Sequence, residues 1–326
     1  MRVLAGDIGG TNARLAIVEV TGESARVEVQ RQFSSQDAPG LASLVQRFVR
    51  ESGAKPPTRA CFGVACGVID GVCRPANLPW IIDERELATA IGVPQTSIIN
   101  DFDAIGHGLA LLAPPDVVTL QSGEPITHGT IALIGAGTGL GEAFLVWDRV
   151  RYRVHPSEGG HVNFAARDEL EWGLYAALRA EFQHVSYERI VSGPGLVHIY
   201  RYLVVHDGGE RQSIRDEMRC DNPAAVIVRH GVANTDPVCA KAVELFTSLL
   251  GAKAGNLALT VLATGGVYVA GGIAPRMADM LRTGPFLSSF RDKGRLSGFV
   301  EHVPVHVIMN TNVGLLGAAV VAAGTS

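Results

Sequence analysis

One pattern constrains this chain more than any other. A short apolar strand runs into a glycine-rich turn carrying a Thr and then into a second strand, and this happens twice. At the N-terminus the strand Arg2 to Ala5 leads through Gly6-Asp7-Ile8-Gly9-Gly10-Thr11 into an apolar run, Ala13 to Val20. Near the middle, Thr130 to Ile134 leads through Gly135-Ala136-Gly137-Thr138-Gly139-Leu140-Gly141 into Glu142 to Trp147. A degenerate internal repeat of this kind predicts two related α/β lobes facing each other.

The rest of the chain fills in two such lobes. Helical spacing predicts helices over Leu41 to Glu51, Glu84 to Ile91, where Gly92 and Pro94 stop the helix, Phe102 to Leu112 and Pro237 to Leu259. Apolar runs predict strands over Ala60 to Val68, Thr96 to Ile99 and Val267 to Ala270, the last followed by a Gly271-Gly272 turn. Asn312 to Ala323, rich in small apolar residues, reads as a helix packed under its neighbours. Asp207 to Arg211 and Ser122 to Gly129 read as surface loops. With 326 residues, 47% of them hydrophobic, the chain can bury two medium cores. The expected division is residues 1–110 plus a C-terminal helix at about 310–326 in a smaller lobe, with 111–309 in a larger one.

Composition excludes several classes. A formal charge of -4 and no Lys/Arg block argue against nucleic acid or an anionic membrane as partner. No apolar run approaches the roughly 20 residues of a membrane span. The N-terminus enters a strand without a secretory pattern. The five cysteines, Cys61, Cys66, Cys73, Cys220 and Cys239, form no Cys-x-x-Cys pair, which fits a reduced cytoplasm. Cys61 and Cys66 read as small buried hydrophobes.

The glycine turns are not a P-loop, because the Lys is missing, nor a dinucleotide fingerprint. Their backbone N–H groups can still form a nest for phosphate, with Thr11 adding a hydroxyl and Asp7 able to hold magnesium directly or through water. Taken singly, such a turn also fits a plain hairpin. Asn100-Asp101 closes an apolar strand, where open α/β sheets present ligand-binding side chains. Asp101 there fits either a base that accepts a hydroxyl proton or the cap of the following helix. Glu158-Gly159-Gly160-His161 offers a carboxylate and an imidazole to sugar hydroxyls; a His-Glu pair also suits a metal, but no third ligand at zinc spacing is present. Glu188 reads by itself as an ordinary surface-helix glutamate.

Seven strings occur together and in order: Gly-Asp-Ile-Gly-Gly-Thr-Asn-Ala-Arg at 6 to 14, Ile-Asn-Asp-Phe at 99 to 102, Gly-Ala-Gly-Thr-Gly-Leu-Gly at 135 to 141, Glu-Gly-Gly-His-Val at 158 to 162, Ser-Gly-Pro-Gly-Leu at 192 to 196, Ala-Gly-Gly-Ile at 270 to 273 and Gly-Leu-Leu-Gly at 314 to 317. In this the chain resembles the bacterial glucokinases of the non-zinc type over essentially its whole length, and through them the actin, sugar-kinase and heat-shock ATPase superfamily. The resemblance implies an α/β fold of two lobes with ribonuclease-H-like (actin-like ATPase) topology around an interlobe cleft. It implies ATP-dependent phosphorylation of glucose on its 6-hydroxyl, with ATP and Mg2+ required and no zinc. Asp101 would be the base. Asn100, Glu158, His161 and Glu188, with Asn77 ahead of Pro79-Trp80, would hold the sugar, although the string Asn-Leu-Pro-Trp at 77 to 80 differs from the usual family form. Gly6 to Thr11 (Gly6, Asp7, Ile8, Gly9, Gly10, Thr11) and Gly135, Gly137 and Thr138 would embrace the phosphates, with Gly271 and Gly272 beside the adenine. Family analogy also implies a homodimer. The zinc-binding relatives carry a Cys-x-Cys-Gly-x-x-Gly-Cys run after the Glu-x-Gly-His; here no cysteine follows until Cys220. Two readings stay open: a kinase for another hexose, and a nucleotide or sugar sensor of the same fold that transfers no phosphate.

Overall fold

The computed structural model describes every residue except Glu23, Pro56, Ala76, Thr325 and Ser326. The first part of the chain forms β1 (Arg2–Ile8), β2 (Asn12–Thr21), β3 (Ser24–Ser34), α1 (Leu41–Ser52) and β4 (Arg59–Val64). The short pair β5 (Val72–Cys73) and β6 (Ile82–Asp83) follows, then α2 (Glu84–Ile91), β7 (Gln95–Asn100) and α3 (Asp101–Gly108). Next come β8 (Val117–Gln121), β9 (Ile131–Ala136), β10 (Leu140–Trp147) and β11 (Tyr152–Ser157). Helices dominate thereafter: α4 (Glu169–Glu181), α5 (Gly193–Asp207), α6 (Gln212–Cys220), α7 (Pro223–Val232) and α8 (Pro237–Thr260). The chain closes with β12 (Gly266–Ala270), α9 (Ala278–Thr283), α10 (Phe286–Arg291), α11 (Ser297–Glu301), β13 (Val305–Ile308) and α12 (Val313–Ala323).

The repeat in the sequence is a repeat in topology. One sheet runs β3-β2-β1-β4-β7 and the other β11-β10-β9-β12-β13, with β8 added at its edge. In each, the first three strands are antiparallel and the next two pairings are parallel. Each ends on a strand followed by a helix, α3 after β7 and α12 after β13, and these two helices pack on one another. Glycine makes that contact. A Cβ on Gly317 would stand 1.8 Å from the Ala104 carbonyl oxygen, and one on Gly108 would stand 2.3 Å from that of Val313. The small-residue helix expected at the C-terminus is therefore the one that reaches back to β1 and β4 of the first sheet.

Strands predicted from apolar runs are found, with shifted ends. Gly6 and Ile8 lie within β1 and Gly135 and Ala136 within β9, because backbone pairing continues through residues whose composition reads as turn. The Ala60 to Val68 run stops pairing at Val64. Glu188 lies in a turn between α4 and α5, not on a surface helix. Strand β13 and the edge strand β3 were not anticipated; β3 alternates Ala25, Val27 and Val29 with polar and charged residues, and only its Phe33 is buried. Helix α8 is buried along most of its length, which agrees with its apolar character all round.

Candidate active site

A cavity of about 310 Å³ lies where the two sheets' glycine hairpins, the α3 N-terminus and the loop before α12 converge. Into it open Asp7, Gly9 and Gly10 from the first hairpin, and Gly135, Gly137 and Thr138 from the second. Asn77, Asn100, Asp101, Glu158, His161, Glu188, Gly271 and Gly272 also line it. Gly6, Ile8 and Thr11 do not. Ile8 is fully buried, and Thr11 lies at the exposed hairpin tip with its carbonyl accepting from Ser35 N.

The junction of β7 and α3 shows which of the two residues Asn100 and Asp101 caps the helix. Asn100 is the helix cap: its Oδ1 accepts from Phe102 N at 2.9 Å and Asp103 N at 3.3 Å, and its Nδ2 donates to the Cys66 carbonyl at 3.2 Å. Most of that amide's hydrogen-bonding capacity is spent on protein. Asp101 is thereby freed from capping and stands in the first turn. Its carboxylate accepts from Phe102 N at 3.0 Å. It keeps a narrow opening to solvent, but the surrounding protein displaces most of its water, and this burial, with the charge of Asp7 added, pushes its pKa up to about 7. A carboxylate poised there can hold or release a proton near neutrality.

Phe102 explains two glycines. A Cβ on Gly141 would stand 1.9 Å from its ring and one on Gly135 2.9 Å. The second hairpin thus lies against the residue next to Asp101, and only glycine permits that approach. Gly271 has φ 89°, and a Cβ there would meet the Ala136 carbonyl oxygen at 2.4 Å.

Asp7 faces Arg14 across the β1/β2 register, 3.5 Å from its Nη1, and Arg14 Nη1 also donates to the Thr311 carbonyl. Burial raises the Asp7 carboxyl pKa and Arg14 partly offsets this. The hard-oxygen carboxylates of Asp7 and Asp101, the first of which raises the proton affinity of the second, fit a divalent cation such as magnesium, which would relieve the repulsion. Among the described residues no group of three His, Cys, Asp or Glu side chains is placed to hold a metal by themselves.

Three more of the cavity-lining side chains form a second group. His161 Nε2 lies 3.7 Å from Glu158 Oε2, and its Nδ1 lies 3.8 Å from Glu188 Oε1. Glu188 is fixed from below, because its Oε2 accepts from Leu140 N at 2.9 Å and a Cβ on Gly139 would clash with it at 2.5 Å. Asn77 packs over Gly10, whose Cβ would stand 2.9 Å from it. The Asn77 loop is tied down by Gln36, which donates to the carbonyls of Gly10 and Asn77, and by the buried Trp80, whose Nε1 donates to the Ala38 carbonyl.

Other residues in the cavity were given no role from the sequence. Arg14 belongs to the first motif and could have been found from its register with Asp7. Cys66 reads as a plain hydrophobe yet reaches the cavity. Asn310 and Thr311 follow an unanticipated strand and carried no signal.

The family model described as Glucokinase matches residues 4–325. The glucokinase of Trichormus variabilis is 41% identical over 338 residues, covering 98% of each chain. The crystal structure of glucokinase from an Antarctic psychrotroph superposes with TM-score 0.81 at 32% identity, covering 99% of each chain. That of a ROK family glucokinase from Streptomyces griseus, in complex with glucose and AMPPNP, gives TM-score 0.68 at 20% identity over 99% of this chain and 100% of that one, a likeness of fold. On the family match and the end-to-end similarity at 41% identity, this chain belongs to the glucokinase family.

Proposed function

We propose that this protein transfers the γ-phosphoryl group of ATP to the 6-hydroxyl of D-glucose, giving glucose 6-phosphate and ADP and feeding glycolysis. The observation that carries this reading is Asp101: a proton-accepting carboxylate at a helix N-terminus, in one cavity with two glycine hairpins and the Glu158, His161 and Glu188 group. Phosphoryl transfer asks little more of a protein than an aligned acceptor, a base and charge neutralisation of the phosphates.

In this reading Asp101 takes the proton of the attacking hydroxyl. Glu158, His161 and Glu188 bind the remaining hydroxyls, with Asn77 and the free N–H of Asn100. The backbone of Gly9, Gly10, Gly135 and Gly137, with Thr138, holds the phosphates, and Gly271 and Gly272 leave room for the adenine. Asp7 would hold magnesium, which supplies charge neutralisation at the phosphates. We assign residues 1–110 and 310–326 to one lobe and 111–309 to the other, closing on glucose to exclude water and limit ATP hydrolysis. The protein acts as a cytoplasmic homodimer in this reading; no helix among the described residues is long and apolar enough to cross a membrane.

The test is a coupled assay of ADP release with magnesium-ATP against a panel of hexoses and a no-sugar control. Turnover restricted to glucose supports the proposal. Another favoured hexose keeps the mechanism and changes the substrate, and ATP binding without transfer to any sugar refutes the kinase.

A further inference from the structure

Beneath the turn that carries Glu158 and His161 lies an ion pair that the reaction as described does not use. Glu142, on β10 opposite Ser157, is 1% exposed. Lys253, in the C-terminal third of α8, is 6% exposed. Its Nζ lies 2.8 Å from Glu142 Oε1. The contact is ionic, with no well-aimed hydrogen bond on that oxygen. Burying two charges inside an otherwise apolar helix interface costs stability that a Leu/Met pair of similar volume would not.

Each charge touches one side of the proposed sugar floor. Glu142 Oε2 occupies the space beneath Gly159, 2.1 Å from where a Cβ on that residue would stand. The Lys253 ammonium lies over the Tyr187 ring, 5.1 Å from its centroid. Asn256, three residues further along α8, donates to the Tyr187 hydroxyl at 3.2 Å. Tyr187 N donates to the Val162 carbonyl and Glu188 N to that of Gly160, so the 158–161 turn and the 187–188 segment move together or not at all.

We infer that the Glu142 and Lys253 pair is a positioning device for the acceptor, setting the 158–161 turn against Glu188 and so the spacing of the three side chains that hold the sugar hydroxyls. The inference rests on the reading of those residues as the acceptor site.

The test compares Lys253→Met, Glu142→Leu and the double variant by thermal unfolding and by turnover with glucose and ATP varied separately. Each single variant strands a buried charge and is expected to lose stability. The double variant is expected to melt near or above wild type. Its KM for glucose is expected to rise roughly tenfold or more, as for a misplacement of a fraction of an ångström in a binding group, while the KM for ATP stays within about twofold. A folded double variant with the wild-type KM for glucose overturns the inference and leaves the pair a core feature. Should the double variant not fold, Lys253→Arg decides, because it keeps the charge but cannot place a forked head in the same space; an unchanged KM for glucose there overturns the inference equally. Wild-type turnover in the same assay tests the underlying reading. A wild type silent on all hexoses removes both, whereas an active wild type beside an unaffected variant removes this one alone.

Discussion

Replacing Asp101 with Asn separates binding from chemistry. The amide keeps the shape of the carboxylate and can still accept from Phe102 N, so α3 and the sugar floor stay in place. What disappears is the proton acceptor. A positioned base is worth about 10²- to 10⁴-fold, or roughly 3–5 kcal/mol of barrier, and kcat is expected to fall by that factor with the glucose Kd, from titration calorimetry, changed by less than about threefold. The wild-type pH profile supplies a second readout. With the Asp101 pKa at about 7, kcat/KM is expected to fall about tenfold per pH unit below that value, and the variant's residual activity is expected to be flat there. Stability supplies a third. The folded pKa lies above the ordinary value of 3.8, so between these pH values the folded chain binds more protons than the unfolded one, and ligand-free stability declines as pH rises from about 4 to about 7. The loss is at most roughly 4 kcal/mol, less for the solvent that still reaches the group. Asp101→Asn should therefore melt several degrees above wild type at pH 8, with the gap closing toward pH 4. Wild-type turnover in the variant, or a persisting slope in its pH profile, refutes the assignment of Asp101 as base.

Three further outcomes follow from the same geometry. Glu188→Gln leaves one oxygen for Leu140 N but removes the charge facing His161, so the KM for glucose should rise about tenfold with the melting temperature little changed; an unchanged KM would make Glu188 purely structural. Gly141→Ala forces a methyl into the Phe102 ring, at an overpacking cost of about 1–3 kcal/mol, and should lower both the melting temperature and kcat, since the displaced residue adjoins Asp101; a variant with wild-type values of both would show that the ring has room to move. Chelation by EDTA should abolish turnover without unfolding the chain, and added magnesium should restore it. Activity that survives chelation would remove the magnesium role given to Asp7.

How much was legible depended on how local each feature is. Helix α2 falls on the predicted Glu84 to Ile91, because its cap Asp83, its apolar spacing and the left-handed Gly92 all act within a few residues. The repeated hairpins were visible for the same reason, and they carried the two-lobed fold with them. Strand ends were misplaced where pairing overrode composition, as at Gly135, which reads as turn but pairs with Gly141. At the cavity, motif residues such as Asp7, Asp101 and Glu158 announced themselves, whereas Asn310 and Thr311 did not, since nothing in a polar pair after an unrecognised strand marks it as facing a ligand.

The amino-acid sequence alone therefore determined the two-lobed α/β plan and the chemical types available for catalysis, because periodicity and turn chemistry are written in neighbours a few residues apart. Tertiary structure decided what those groups became. Asn100 rather than Asp101 takes the cap, leaving the carboxylate free. Crowding, together with the nearby Asp7, raises the Asp101 pKa to about 7. Lys253 meets a partner 111 residues earlier, Glu142, on a strand to which no local rule connects it. Burial and electrostatic coupling depend on what surrounds a group in space, and for these residues the surroundings come from distant parts of the chain.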